Sequence, residues 1–391
     1  MLVLGLTLAL RYRGKKVIRN LIRWEALRFP CFDELSSESL LNLGDYMSKH
    51  VCPFCNSNIS TTRMCCDSFK ALRESALEGI KRAPLQDALF GVPLKVNPTP
   101  YAQDELLPFD EHFQLPREGT PAWGSMRRVV KAWQRNVPFV VTGGMGRSKD
   151  AVLGLLSNIT NRPTLLISCA RSTDIEGFLY TLGFNAEGTT YTYGALWKAL
   201  TEGHPRTGEP MVIVLTDFDR MSPEQLERFR KILDTTAGRI NAPDGRIVPI
   251  LKGTLICATA NSVGSGAEGY VCEIIDESMK DRFARFIEAE AMDCIDRSRI
   301  CCERYGAPAE WVEPIANCLS SLESSIAKEA LESFNDFSFR ATSAWIESAM
   351  QERDLGSKQP LRDSLFDILD KREAEVKQKI ENLFDPHLPR A

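Results

Sequence analysis

The 391-residue chain lacks any apolar run long enough to span a bilayer. Its opening, "MLVLGLTLAL", is ten residues long, about half of what a spanning helix needs. No positive segment precedes that run and no small-residue cleavage site follows it, so it does not read as an export signal. Leu2, Leu4, Leu6, Leu8 and Leu10 alternate instead, as in a half-buried strand. An excess of positive charge is also missing: 48 Lys and Arg face 52 Asp and Glu, a net charge of −4, so no global field points to nucleic acid. There is no internal repeat and no low-complexity tract. Without an export signal, the twelve cysteines are expected to be reduced thiols in a cytoplasmic protein.

Basic charge is concentrated only locally. Residues 11–28 carry Arg11, Arg13, Lys15, Lys16, Arg19, Arg23 and Arg28 against the single acid Glu25. Such a run is either a solvated helix face or a contact for nucleic acid or an acidic partner. Residues 1–48 form this basic N-terminal segment, and 49–110 hold a cysteine cluster followed by a proline-rich, linker-like stretch. Between 111 and 288, the apolar runs "VPFVVTGG", "RPTLLISC", "PMVIVLTDFD" and "GTLICATAN" alternate with helical stretches. They are β-branched and end in Gly, Asp or Asn, which predicts buried parallel strands of an α/β domain with its working edge at their C-terminal ends. Residues 289–391 carry helical periodicity throughout.

The cluster "HVCPFCNSNISTTRMCCDSF" separates Cys52 and Cys55 by nine residues from the adjacent pair Cys65 and Cys66. A Cys-Pro-x-Cys turn points two thiolates at one tetrahedral cation and a second pair closes the site, so a structural zinc ion is expected on these four, with His50 or Cys31 as an alternative fourth ligand. Unliganded thiols are the other reading. Cys169, Cys257, Cys272, Cys294, Cys301, Cys302 and Cys318 lie in apolar stretches and read as core residues.

The stretch "TGGMGRSKDAV" has the glycine density of a phosphate loop. Counted on the pattern G-x-x-x-x-G-K-[ST] from Gly143, with Gly144 and Gly146 inside the loop, Ser148 stands where the last glycine belongs. Lys149 takes the lysine position, and Asp150 stands where a hydroxyl would hold magnesium. Further on, "MVIVLTDFDRMSPEQLERF" is an apolar strand ending in carboxylates, like a Walker B strand. "GTLICATANSVGSG" ends a strand at Asn261, placed to face a terminal phosphate or a water. "ESMKDRFARF" presents Arg282, which can act on a neighbouring subunit's nucleotide, and "DFSFRATSAW" puts Arg340 at a helix start.

In this order, the motifs resemble the AAA+ ATPases of the MoxR type, and most closely the AAA+ subunit of aerobic cobaltochelatase, over roughly residues 111–350. The resemblance implies a P-loop α/β domain with a C-terminal helical lid; the small cysteine-containing N-terminal region before it lies outside the resemblance. It also implies ATP and Mg2+ at the interfaces of a homo-oligomeric ring, commonly a hexamer. Asn261 would be sensor 1, Arg282 the arginine finger and Arg340 sensor 2. Members remodel or activate a client, often with a von Willebrand A-domain partner.

The departures fall on the chemistry. Aligned by its proline, "TDFDRMSPE" puts Thr216 on the Walker B aspartate position and Asp217 on the catalytic glutamate, with Asp219 as the second carboxylate. Either hydroxyl and carboxylate have traded sides of one magnesium ion, or the site has decayed into a scaffold. An aspartate about 4 Å from a phosphate charge is repelled by about 4 kcal/mol at an effective dielectric near 20, unless a cation lies between them. Asp217 is one methylene shorter than glutamate, about 1.5 Å, a displacement that can cost roughly 100-fold in rate.

Elemental analysis of the full-length chain is expected to find about one equivalent of zinc, lost in a Cys52→Ser/Cys55→Ser double variant. An unchanged metal content in that variant would assign the zinc elsewhere.

Overall fold

The computed structural model describes residues 85–144, 146–185, 188–233, 238–261, 273, 275, 277–327, 338–369 and 374–389. The opening alternating run, the basic segment 11–28, the cysteine cluster at Cys52, Cys55, Cys65 and Cys66, and Cys272 lie outside them. The described residues belong to one unit, 82–391.

That unit begins with a tight hairpin, β1 (Ala88–Leu89) and β2 (Val92–Pro93). Phe90 and Gly91 join its strands with φ of 52° and 66°, the left-handed pair that a two-residue hairpin loop of right-handed twist requires. Helix α1 (Pro121–Arg135) follows, with proline at its start and the Thr120 hydroxyl accepting the N–H of Trp123. Strand β3 (Phe139–Thr142) leads through the glycine-rich loop into α2 (Lys149–Ile159), then β4 (Thr164–Ser168) and the short α3 (Ile175–Leu179). A second hairpin, β5 (Tyr180–Asn185) with β6 (Gly188–Tyr193), precedes α4 (Ala195–Thr201). Strand β7 (Val212–Thr216) is followed by α5 (Pro223–Leu233), the hairpin β8 (Arg239–Asn241) and β9 (Ile247–Pro249), and β10 (Leu255–Ala260). After α6 (Glu277–Arg282) and β11 (Arg285–Glu288), the elements among the described residues are helices. These helices are α7 (Cys294–Tyr305), α8 (Val312–Ala327), α9 (Phe339–Asp354), α10 (Pro360–Leu369) and α11 (Ala374–Phe384).

The four predicted strands form a parallel sheet in the order β11-β3-β10-β7-β4, with β11 as the fifth. Side chains alternate between two layers, as the strand period demands. Phe139, Val141, Val212, Val214, Leu255 and Cys257 pack with α1 and α2. Val140, Ile213, Leu215, Ile256, Ala258 and Ala260 pack with α4 and α5. Both faces are covered, which is why the strands read as continuous apolar runs. A third core lies among α7–α11 around the buried, stacked Trp345 and Phe384.

The chain leaves β3 toward β4 but leaves the adjacent β10 toward β11, in the opposite direction. Right-handed crossovers place those two connections on opposite faces and open a crevice at the strands' C-terminal ends.

One expectation is corrected. Over the described residues 85–110 the chain is not a free linker: Leu89, Phe90, Val92, Leu94 and Leu107 are buried in the core with α1 and α2. Its proline-rich part is pinned further along. The Glu209 carboxylate accepts hydrogen bonds from Asn97 Nδ2, Thr99 Oγ1 and Tyr101 OH, each at 2.5 Å. Beside them, His204 is 6% exposed, 3.3 Å from Glu105 and edge-on to Tyr101. Cys169, Cys301, Cys302 and Cys318 are core residues as expected, their thiols pushed up to about 12 by burial.

This clamp predicts acid lability. Burial holds His204 below its ordinary value despite Glu105, and the three hydroxyl and amide donors hold Glu209 below the usual carboxylate range. A depressed histidine favours folding when neutral, so its contribution is complete above about pH 6.5 and is lost as pH falls. The contribution of Glu209 persists to lower pH and disappears below about 4.5. Melting temperature measured from about pH 8 to 3 should decline in both windows, and His204→Gln should flatten the upper one alone.

Candidate active site at the sheet edge

The crevice at the ends of β3 and β10 opens into a cavity of about 670 Å3, a size that suits a nucleotide. On one wall are Gly146, Arg147, Ser148, Lys149 and Asp150 from the loop and α2, with Asp217, Arg220 and Asn261. The other wall brings Asp110, His112, Phe113 and Gln114 together with Arg304, Tyr305, Phe339 and Arg340. Sequence reasoning placed Lys149, Asp150, Asp217, Asn261 and Arg340 at one site, and the fold brings them to one cavity. Thr216, Asp219 and Arg282 do not line it.

The loop is shaped by backbone constraint. Gly143 has φ of 134°, and a β-carbon there would lie 2.9 Å from the Ala289 carbonyl oxygen. Gly146, with φ of 72°, is seated against the start of α9, where a β-carbon would lie 3.0 Å from Ser338 Cβ. Ser148, the residue in the last glycine position, adopts φ of 56° all the same, at about 1 kcal/mol for a residue bearing a β-carbon. As the residue preceding α2, it caps no N–H with its side chain. The first N–H groups of α2 therefore face the cavity without a side-chain acceptor from Ser148, which suits an anion.

Lys149 is 8% exposed. Its ammonium donates to Gly143 O at 2.6 Å, Gly144 O at 2.9 Å and Asn261 Oδ1 at 3.1 Å. Burial lowers its pKa, opposed by the charges of Asp150, Asp217 and Asp219. All three ammonium protons are engaged, so a phosphate oxygen must displace one of these acceptors.

Asn261 donates from Nδ2 to Asp217 Oδ1 at 3.0 Å, and its own N–H reaches Asp219 Oδ2 at 3.0 Å. Asp219 is thus a fully buried anchor for the exit of β10. Asp217 is in the left-handed region, with φ of 53°, and Arg220 approaches its other oxygen at 3.5 Å. The Thr216 hydroxyl lies 3.4 Å from Ser168 Oγ on β4. Arg282 donates to Ser278 O at 2.6 Å on its own helix.

Several residues of the site were not read from sequence. Thr259, on β10, donates to Asp150 Oδ1 at 2.8 Å. Within an apolar strand it reads as a β-branched filler; only its two-residue spacing from Asn261 signalled a shared face. The second wall depends on long-range pairs: Arg304 with Asp110 at 3.1 Å, and Arg299 with Gln114 at 3.0 Å.

The donor set fits magnesium. Among the described residues, no group of three or more His, Cys, Asp or Glu could hold a metal unaided. Magnesium is usually held by one or two carboxylates together with substrate phosphates, and Asp150 and Asp217 supply two at the cavity wall.

Residues 138–283, from the start of β3 to the end of α6, match the sequence family described as the AAA domain, dynein-related subfamily. No curated protein matches the sequence. Similar solved structures include a provisionally named ATPase from Cytophaga hutchinsonii, at 15% identity and TM-score 0.34, covering 66% of this chain and 88% of that one. NtrX from Brucella abortus, solved with ADP, is 15% identical with TM-score 0.35, covering 72% of this chain and 53% of that one. A point mutant of RuvB from Thermotoga maritima is 9% identical with TM-score 0.37, covering 67% of this chain and 69% of that one. Among the described residues, no helix is long and apolar enough to cross a membrane.

Two substitutions test the loop geometry by chemical denaturation. Gly143→Ala should destabilise by about 1–3 kcal/mol through its φ and the Ala289 contact. Ser148→Gly should be neutral or stabilising by up to about 1 kcal/mol.

Proposed function

We propose that the chain is a ring-forming AAA+ ATPase that binds ATP with magnesium and uses it to remodel or activate a client protein. The observation that carries this reading is the convergence of Lys149, Asp150, Asp217, Asn261 and Arg340 on one cavity at the sheet edge. The N-terminus of α2 and the Lys149 ammonium would hold the phosphates. Asp150 and Asp217 would hold the magnesium ion, which neutralises charge on the phosphate oxygens. Asp217 would orient the attacking water, with Asn261 fixing the carboxylate through its 3.0 Å hydrogen bond. Arg340, exposed at the cavity wall, would stabilise charge that develops on the transferred phosphoryl group.

Arg282 stands away from its own chain's cavity, which suits a role on a neighbouring subunit's nucleotide. A hexameric ring, a MoxR or cobaltochelatase-like client system and a von Willebrand A-domain partner extend this reading through the sequence resemblance, and a cytoplasmic setting through the reduced thiols expected of its cysteines. A structural zinc on Cys52, Cys55, Cys65 and Cys66 belongs with it.

A second reading, a scaffold subunit that binds nucleotide without turnover, is favoured by one observation. Asp217 has a short side chain whose oxygens are approached by Asn261 and Arg220, leaving it poorly placed to reach a water.

Titration with a fluorescent ATP analogue and a phosphate-release assay on the same samples separates the readings. Binding with turnover, both reduced at least tenfold in Lys149→Ala and turnover alone lost in Arg282→Ala, is the expected result. Binding without turnover would establish the scaffold. No binding would refute both.

A further inference from the structure

We propose that Thr259 is a positioning residue that makes Asp150 a magnesium ligand, replacing from β10 the hydroxyl that α2 lacks. This rests on the nucleotide-binding reading of the same cavity. Thr259 is 1% exposed, at a strand position whose side chain shares a face with Asn261. Its proton goes to Asp150 Oδ1 at 2.8 Å, and its oxygen lies 3.4 Å from the backbone nitrogen of Asp217. One hydroxyl therefore links the Asp150 carboxylate to the backbone of Asp217, the other acid at the cavity wall. Two residues along, Asn261 links Asp217 to Lys149 by bonds of 3.0 and 3.1 Å. The end of β10 thus holds both acids and the lysine in register.

Orientation matters more here than in the common phosphate loop. A loop hydroxyl is neutral and tolerates an empty metal position, whereas a carboxylate beside phosphate is repelled whenever no cation intervenes. By taking Oδ1, Thr259 fixes the Asp150 carboxylate plane and leaves Oδ2 as its face for the ion. An untethered Asp150 would turn toward Lys149, on whose charge it already acts, and magnesium would lose its ligand. The nearby charged groups at this cavity wall are Arg147, Lys149, Asp217 and Arg220, with Asp219 buried behind.

The test uses the full chain, a fluorescent ATP analogue and either Mg2+ or EDTA. Wild type should bind more tightly with Mg2+. Thr259→Val, which keeps the shape and removes the hydroxyl, should lose roughly tenfold or more of that gain, with affinity in EDTA within about twofold of wild type. Thr259→Ser should restore the gain, and Asp150→Asn should bind about equally in both conditions. Electron paramagnetic resonance of Mn2+ with the bound analogue should show weaker ion binding in Thr259→Val, independent of turnover. Equal loss with and without Mg2+ would assign Thr259 a purely structural role and overturn the proposal, as would an unchanged Mg2+ gain. If wild type binds in neither condition, the nucleotide reading itself fails and this inference falls with it.

Discussion

The buried ammonium of Lys149 is the interaction on which the geometry of the site depends. A cation taken out of water must be surrounded by acceptors, and here they are two carbonyls from the exit of β3 and one side-chain amide from the exit of β10. For those carbonyls to face inward, the loop must pass through φ of 134° at Gly143 and 72° at Gly146 before the left-handed turn at Ser148. Strand and helix ends are thereby joined through one side chain. The same amide that receives the lysine also holds Asp217, so the acidic and basic halves of the cavity are mechanically coupled.

The cavity carries both signs of charge within a small volume. Lys149, Arg147, Arg220, Arg304 and Arg340 face Asp110, Asp150, Asp217 and Glu347. A phosphate chain alone would meet two carboxylates near Lys149, whereas a phosphate chain with a divalent cation meets a nearly balanced wall. For the proposed nucleotide, a carboxylate at position 150 would raise dependence on the metal rather than remove it. Arg304 and Asp110, paired across the second wall, also tie the lead-in segment to α7.

How much was legible follows from where each signal resides. The central strands were readable because burial on both faces leaves runs such as "VPFVV" and "MVIVL" without alternation. The loop, Asn261 and Arg340 were readable because each ends or starts a regular element at motif spacing. The β5–β6 hairpin escaped notice even though Tyr180, Leu182 and Phe184 alternate; a face with Phe184 at 82% exposure has no core to betray it. The burial of Leu94 and Leu107 was hidden by prolines that also suit a linker. Asp110, His112 and Tyr305 reach the cavity only through tertiary contacts, which no local pattern encodes. Thr259 is the instructive omission: its hydroxyl matters because Asp150 is there to receive it, a relation between residues 109 positions apart.

The seat of Gly146 beneath the first residues of α9 has a mechanical meaning. Its α-carbon lies against Ser338 and Phe339, with no room for even a methyl group without displacement. Helix α9 is 16 residues long, about 24 Å at the usual rise. A sideways shift of about 1 Å across its first turn is magnified to about 4 Å at its far end by simple leverage. A displacement at Gly146 would in this way be carried along α9 to its far end, beside the exposed Leu355.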